Sequence, residues 1–183
     1  MKICIYGAGA IGGYLGVELA QVAGLEVSLI ARGPHLAAIR KNGLKLQIEG
    51  EEHVAKLTAT DNPADLGPQD YVIIALKSHQ GWESAEQVAP LLGPDTAVVT
   101  CQNGIPWWYF YNLDSQYRDL RLGSVDPNDR QWDAIGPERA IGCVVYPATE
   151  ITKPGVIKHY YGNKFALGEP SGLFTERAEN LSE

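Results

Sequence analysis

Gly7, Gly9 and Gly12 stand in the spacing G-x-G-x-x-G, inside "YGAGAIGGYLG" and directly behind the apolar run "KICIY". Inside a helix each glycine costs about 1 kcal/mol relative to alanine, so a helix that begins among glycines needs a compensating reason. Close approach of a phosphate to the main chain supplies one. The first glycine allows a tight turn, the second lets the backbone touch a diphosphate, and the third lets the helix pack closely on the strand. The N–H groups and dipole at the helix start then favour the anion. The expected contacts fall on Gly7, Ala8, Gly9, Ala10, Ile11 and Gly12, and the expected ligand is a dinucleotide. A tight turn whose glycines serve packing alone is the competing reading.

The second strand decides which dinucleotide. An NAD site places an Asp or Glu about 20 residues beyond the glycines, on the ribose 2′-hydroxyl. Here the strand ends "LIARG", with Arg32 and no carboxylate. A guanidinium suits a 2′-phosphate and a carboxylate would repel it. The contact is worth roughly 1.5–3 kcal/mol, or one to two orders of magnitude in affinity. NADP is therefore the expected cofactor; an ordinary surface arginine is the plainer alternative. Two further loops carry polar groups behind apolar strands: "LKSHQ", with Lys77, Ser78, His79 and Gln80, and "CQNGIP", with Asn103 and Gly104. Ligands bind at the carboxyl ends of parallel strands, where these loops should lie. The plainer reading is a helix cap at Ser78 and a turn at Asn103–Gly104.

The elements that must position these residues can be read from the pattern. "KICIY" (2–6) is a strand, and apolar residues at Ile11, Leu15, Leu19 and Val22 follow one helix face. "LEVSLI" (25–30) is a second strand, and Pro34 opens a helix that Gly43 closes. "LKLQI" (44–48) and "VAKLTA" (54–59) read as two strands joined by a polar turn. "DYVIIAL" (70–76) and "TAVVTCQ" (96–102) read as buried parallel strands flanking a helix at 82–92 that Pro90 disturbs. The fold class is α/β, a Rossmann-type doubly wound, mostly parallel sheet. Residues 105–139 lack periodicity and hold seven of the sixteen aromatics, so they stand apart as an insertion. "AIGCVVYPATEI", "GVIKHYYG" and "KFALGE" then read as three strands of a small antiparallel meander at the C-terminal end. Residues 1–170 form a dinucleotide-binding domain, and 171–183 read as the start of a linker helix.

Composition narrows the function class. A net charge of -7 argues against a nucleic-acid partner, which requires a basic surface. No apolar run reaches membrane-spanning length, and no secretory signal opens the chain, so the cytoplasm is the expected compartment. Cys4, Cys101 and Cys143 sit apart in apolar runs and read as buried small hydrophobes. The four histidines are scattered, and no metal site is expected.

Taken together, these motifs resemble the ketopantoate reductase family, the 2-dehydropantoate 2-reductases. The resemblance is carried by "GAGAIGGYLG", the "AR" after the second strand, "ALKSHQ", "QNG", and "GCVVYPATEITKPGVIKHY" followed by "LGEPSG". It implies reduction of a small 2-keto acid, 2-dehydropantoate, to pantoate with NADPH in pantothenate synthesis. It also implies cofactor contacts at Gly7 to Gly12, Arg32, Lys77, Gln80, Asn103 and Ala148, the last of which no spacing argument finds. The family carries a mostly helical second domain with the catalytic lysine that protonates the carbonyl oxygen. Nothing after Ser171 supplies one, so no catalytic residue is expected here, and the chain reads as truncated and catalytically incompetent alone. An uncovered apolar face leaves room for a homo-oligomer. The resemblance makes 105–139 longer than the family's usual connection and suggests a lid over the substrate cleft or a subunit contact, with local core packing as the plainer alternative. Alternatives are a reductase for another 2-keto acid and a nucleotide-sensing Rossmann module without catalysis. A methyltransferase is more distant, because "LIAR" lacks the acidic residue for an adenosine ribose.

Overall fold

Strand β1 (Lys2–Tyr6) buries Ile3, Cys4, Ile5 and Tyr6 on both of its faces, as a central strand of a parallel sheet must. The structure is a computed structural model that describes residues 1–182. From β1 the chain turns at Gly7 into α1 (Ala10–Leu19), returns as β2 (Glu26–Ile30) and enters α2 (Gly33–Asn42). Gly43, at φ +78°, ends α2, and β3 (Leu44–Ile48), β4 (Glu51–Ala55) and β5 (Thr58–Thr60) follow. Next come β6 (Gln69–Ile74), α3 (Ser78–Gly81), a 3-10 segment at Trp82–Leu91 and β7 (Leu92–Cys101). The last elements are α4 (Arg130–Ile135), β8 (Ala140–Val145), β9 (Ala148–Lys153), β10 (Val156–Tyr161), β11 (Phe165–Gly168) and α5 (Glu176–Ser182).

The main sheet has the order β11-β8-β7-β6-β1-β2-β5, parallel throughout except for β11 against β8. The chain moves outward from β1 to β2 and β5, then crosses back to β6 and proceeds the other way. That reversal opens a crevice beyond the carboxyl ends of β1 and β6, where open α/β sheets bind ligands. Helix α1 is wedged between this sheet and a second one, of order β4-β3-β10-β9. A Cβ at Gly16 would come within 2.9 Å of Leu29 on β2, and one at Gly13 within 2.7 Å of Ile157 on β10. The helix thus touches both sheets where it has no side chain.

The α/β class and the mostly parallel sheet match expectation, with three changes. The C-terminal strands do not form one meander: β8 and β11 extend the main sheet, and only β9 and β10 join β3 and β4 in the small one. Pro147 lacks the N–H needed to continue the β8 ladder, and the chain changes sheets there. The 54–59 segment likewise divides, with Ala55 ending β4 in one sheet and Thr58 starting β5 in the other. The expected 82–92 helix is a 3-10 segment preceded by the single turn of α3.

The aromatic segment 105–139 is no lid at its tryptophans. It is the crossover from β7 to β8, and it roofs the second face of the main sheet. Trp107 and Trp108 are buried against Cys4, Tyr6, Val72, Ile74 and Val98. Trp108 Nε1 donates to Thr100 Oγ1 at 3.1 Å, and its ring lies over Gly142, where a Cβ would be 2.8 Å away. Burying two indoles removes far more apolar surface from water than a lid could while opening.

An ion pair pins α5 to the sheet. Arg177 donates from Nε and Nη2 to the two carboxylate oxygens of Glu169 at 2.7 and 2.6 Å, and from Nη1 to the Glu138 carbonyl at 2.9 Å. Burial pushes the Glu169 carboxyl up, but Arg177 and the Thr175 hydroxyl outweigh it and hold the group below its ordinary value. A carboxylate with a depressed folded-state pKa stabilises the fold above its unfolded value and loses that contribution as pH falls through the folded one. Glu169→Gln should therefore cost roughly 1–2 kcal/mol at pH 7, less than a fully buried pair because Arg177 is partly exposed. Urea unfolding at pH 7 and at pH 3 should show the difference between the variant and the parent shrinking in acid. An equal difference at both values would remove the ion pair as its cause.

Candidate functional site

The glycine turn divides its work among three residues. Gly7 adopts φ +103°, and a Cβ there would lie 2.5 Å from Leu76 Cδ2. At Gly12 a Cβ would stand 2.1 Å from the Gly7 carbonyl oxygen and 3.0 Å from Ala75 Cβ and Ile5 Cγ2. Gly9 differs: a Cβ there would meet nothing within 4 Å. No packing among the described residues requires glycine at position 9, so the bare backbone faces space that a ligand can use. The amides divide in the same way. Gly7 and Ala8 donate to the Ile30 carbonyl at 3.1 and 2.9 Å, which docks the turn on β2. The N–H groups of Gly9, Ala10 and Ile11 open α1 and have no acceptor within the helix, the arrangement that suits an anion.

Two hollows meet at Gly9. One, of about 200 Å³, is lined by Gly7, Ala8, Gly9, Arg32, His35 and Asp61, with Leu76, Ser84 and Gln87 on the far wall. The Arg32 side chain, exposed at the N-cap of α2, makes no ion pair or hydrogen bond among the described residues, while its backbone carbonyl accepts from Leu36 N at 3.2 Å. Asp61, at the carboxyl end of β5, lines the same hollow and has no ion-pair partner among the described residues. It was missed because the preceding strand was read to end at 59, although the carboxyl-end rule that picked Lys77 would have found it. His35, three residues beyond Arg32 on α2, accepts a hydrogen bond at Nδ1 from Gly155 N at 3.0 Å, while its Nε2 is buried without a partner. Burial lowers its pKa, only partly offset by the Ala8 carbonyl beside it.

The second hollow is a cleft of about 860 Å³ walled by Gly9–Ile11, by 75–80 after β6, by 101–103 at the end of β7, and by Val145, Pro147 and 149–151. Lys77 and Gln80 line it, as does Asn103. The Asn103 side chain is already engaged: Nδ2 donates to the Val145 carbonyl and Oδ1 accepts from Val145 N, both at 3.0 Å. It splices the ends of β7 and β8 and does not simply make a turn. Ala148 lies at the start of β9, paired with Tyr161, and the cleft is lined by its neighbours Pro147 and Thr149 instead. Thr149 Oγ1 is buried and unpartnered, and Glu150, which accepts from Tyr160 Oη at 2.6 Å, adds a carboxylate to the wall. Neither was found from the sequence, because 140–151 reads as one continuous strand.

The cysteines take no part in this chemistry. All three are buried and free, and burial pushes Cys4 up to about 12 despite a hydrogen bond with Ser28. Cys101 and Cys143 face each other in register on β7 and β8. The hydrogen bond that Cys101 donates to the Cys143 sulfur, together with burial, raises Cys101 far above the ordinary thiol range. No group of three or more His, Cys, Asp or Glu that could hold a metal occurs among the described residues, and no described helix is long and apolar enough to cross a membrane.

The site so assembled is a helix start with open N–H groups, an arginine-lined hollow on one side and a roomy polar cleft on the other. The family model of ketopantoate reductase PanE/ApbA matches residues 3–172. A 2-dehydropantoate 2-reductase from Mesorhizobium japonicum is 51% identical over 183 residues, covering all of this chain and 56% of that protein. A crystal structure from Ralstonia solanacearum, assigned as a ketopantoate reductase, superposes with TM-score 0.92 at 42% identity, over 98% of this chain and 56% of that one. A PanE/ApbA family ketopantoate reductase from Ralstonia eutropha superposes with TM-score 0.76 at 29% identity, over 99% and 52%. The chain thus spans about half the length of the relatives it matches. Glycine turn, strand order and sequence agree, and the chain belongs to the PanE/ApbA family of ketopantoate reductases.

Proposed function

We propose that this chain forms the NADPH-binding half of a 2-dehydropantoate 2-reductase. The observation that carries the reading is the open backbone at Gly9 beside an unpaired Arg32. Gly9, Ala10 and Ile11 would hold the diphosphate through their N–H groups, and Arg32 the 2′-phosphate. Lys77 and Gln80 would face the nicotinamide end. Asn103 would act there by fixing the wall of the cleft, and Ala148 by setting the start of the opposite wall. The reduced nicotinamide supplies the hydride; the residues of this chain bind, orient and shield. The substrate is a small 2-keto acid, 2-dehydropantoate by the name of the Mesorhizobium relative. The acid that protonates the developing alkoxide is proposed to lie in the further length those relatives have. Asp61 favours a second reading, in which a carboxylate accepts from a ribose 2′-hydroxyl and the site takes NADH.

Titration by cofactor fluorescence separates these readings. The chain should bind NADPH at least tenfold more tightly than NADH, and Arg32→Ala should weaken NADPH about ten- to a hundredfold while leaving NADH nearly unchanged. Equal affinities would favour the Asp61 reading, and no binding of either would remove the dinucleotide. Gly9→Val should unfold within a few degrees of the parent yet lose cofactor binding, since only a ligand needs the space. Gly12→Ala should lower Tm strongly, by overpacking. If Gly9→Val binds NADPH normally, the glycine turn is a packing device alone. The chain by itself should reduce 2-dehydropantoate at less than about a hundredth of the rate of the full-length Mesorhizobium relative, the loss expected when general acid catalysis is missing. Comparable turnover would show that the chain carries its own acid.

A further inference from the structure

We infer that Ile151 covers the middle of the dinucleotide, holding it over the bare backbone of Gly9 where the ligand passes from the hollow into the cleft. The inference rests on the dinucleotide reading above and adds to it a residue that selects for a ligand spanning both spaces. It begins with the way the small sheet lies on α1. The strands step along the helix in their sheet order, β4-β3-β10-β9. β4 stands beside Val17 and Gln21 near the helix end. Leu44 on β3 lies 3.6 Å from a Cβ placed on Gly16, and Ile157 on β10 lies 2.7 Å from one placed on Gly13. β9 shares the wall of the cleft with Gly9, Ala10 and Ile11. One strand spacing, roughly 4.8 Å, is close to one helical turn, roughly 5.4 Å. The edge strand β9 therefore overhangs the start of α1, one turn before Gly13.

A β-bulge sets which side chain of β9 looks down. Val156 pairs with Lys153, but Ile157 pairs with Ile151, so Thr152 is an extra residue in the strand. Without the bulge Thr152 would stand opposite Ile157, and Ile151 would turn to the other face. Opposed residues of an antiparallel pair share a face, and Ile157 is fully buried on the side of α1. Ile151 looks the same way, one strand further out. There the chain puts nothing beneath it: a Cβ on Gly9 would meet nothing within 4 Å, and Ile151 is 41% exposed.

Among the described residues, only Gly9, Leu76 and Ile151 line both the hollow and the cleft. A ligand reaching from Arg32 to Lys77 must pass the gap that these three enclose. Gly9 offers it an N–H group; Leu76 and Ile151 offer methyl groups. A lone exposed apolar side chain is ordinary on a protein surface, but this one stands in the passage between two polar-walled spaces. Ribose carbons on either side of a diphosphate would cover its exposed surface. Water would then be kept from the N–H contacts below, which strengthens them.

Two ligands separate bridging from local contact. 2′,5′-ADP carries the 2′-phosphate but stops at a single 5′-phosphate, so it fills the hollow without crossing the gap. Calorimetric titration of the 183-residue chain should find Ile151→Ala about five- to tenfold weaker for NADPH and within about twofold of the parent for 2′,5′-ADP. Ile151→Leu, which restores the carbon count, should return NADPH to within about twofold. At an exposed edge position Ile151→Ala should unfold within a few degrees of the parent. Should it not fold, Ile151→Thr keeps the β-branched shape that strands favour and carries the same expectation. Unchanged NADPH affinity in Ile151→Ala overturns the inference, as do equal losses for the two ligands or failure of Ile151→Leu to restore binding. Failure of the parent itself to bind NADPH overturns the dinucleotide reading, and this inference with it, and is recognised without any variant.

Discussion

At position 12 the first turn of α1 passes so close to the chain it has just left that a Cβ would stand 2.1 Å from the Gly7 carbonyl oxygen. This lack of clearance organises the site. The helix can start directly above the end of β1 only because it has no side chain at its point of contact, and so its first N–H groups open into the crevice between β1 and β6. Moving that start outward by the width of a methyl group would aim the helix dipole elsewhere. The Ile30 carbonyl completes the arrangement by accepting both the Gly7 and Ala8 amides, which leaves the next three for a ligand.

Electrostatics then grade the site from one end to the other. Arg32 contributes a full positive charge, the helix start a partial one, and Lys77 a second full charge near the cleft. The carboxylate Asp61 lines the hollow with Arg32, and Glu150 lines the cleft with Lys77. A molecule with anionic groups at its centre and at one end matches this order of charges. The protein's net charge of -7 does not oppose it, because such fields fall off within about 10 Å at ordinary salt. Local placement of three positive sites outweighs the overall sum.

Much of this was legible in the sequence because it depends on local steric rules. The glycine spacing, the arginine after the second strand and the polar loops after 74 and 101 all obey constraints acting over a few residues. What could not be read depends on pairing between distant segments. β5 and β4 are separated by two residues yet lie in different sheets, and nothing in "VAKLTA" announces the division. Pro147 did signal the break between β8 and β9, but the apolar pattern on both sides masked it. The role of Asn103 was similarly hidden, since its side chain bonds to Val145, 42 residues away. The anchoring role of His35 was hidden in the same way, since its Nδ1 accepts from the Gly155 amide 120 residues on. The aromatic stretch was conspicuous, but only the sheet shows which way its indoles face.

The wedging of α1 has a kinetic consequence. With Gly16 against Leu29 and Gly13 against Ile157, the helix cannot tilt or slide without displacing a strand in each sheet. Its N-terminal amides are therefore held in place by packing alone. Under the dinucleotide reading, the phosphates would meet a site already formed, with no movement of α1 required before they bind.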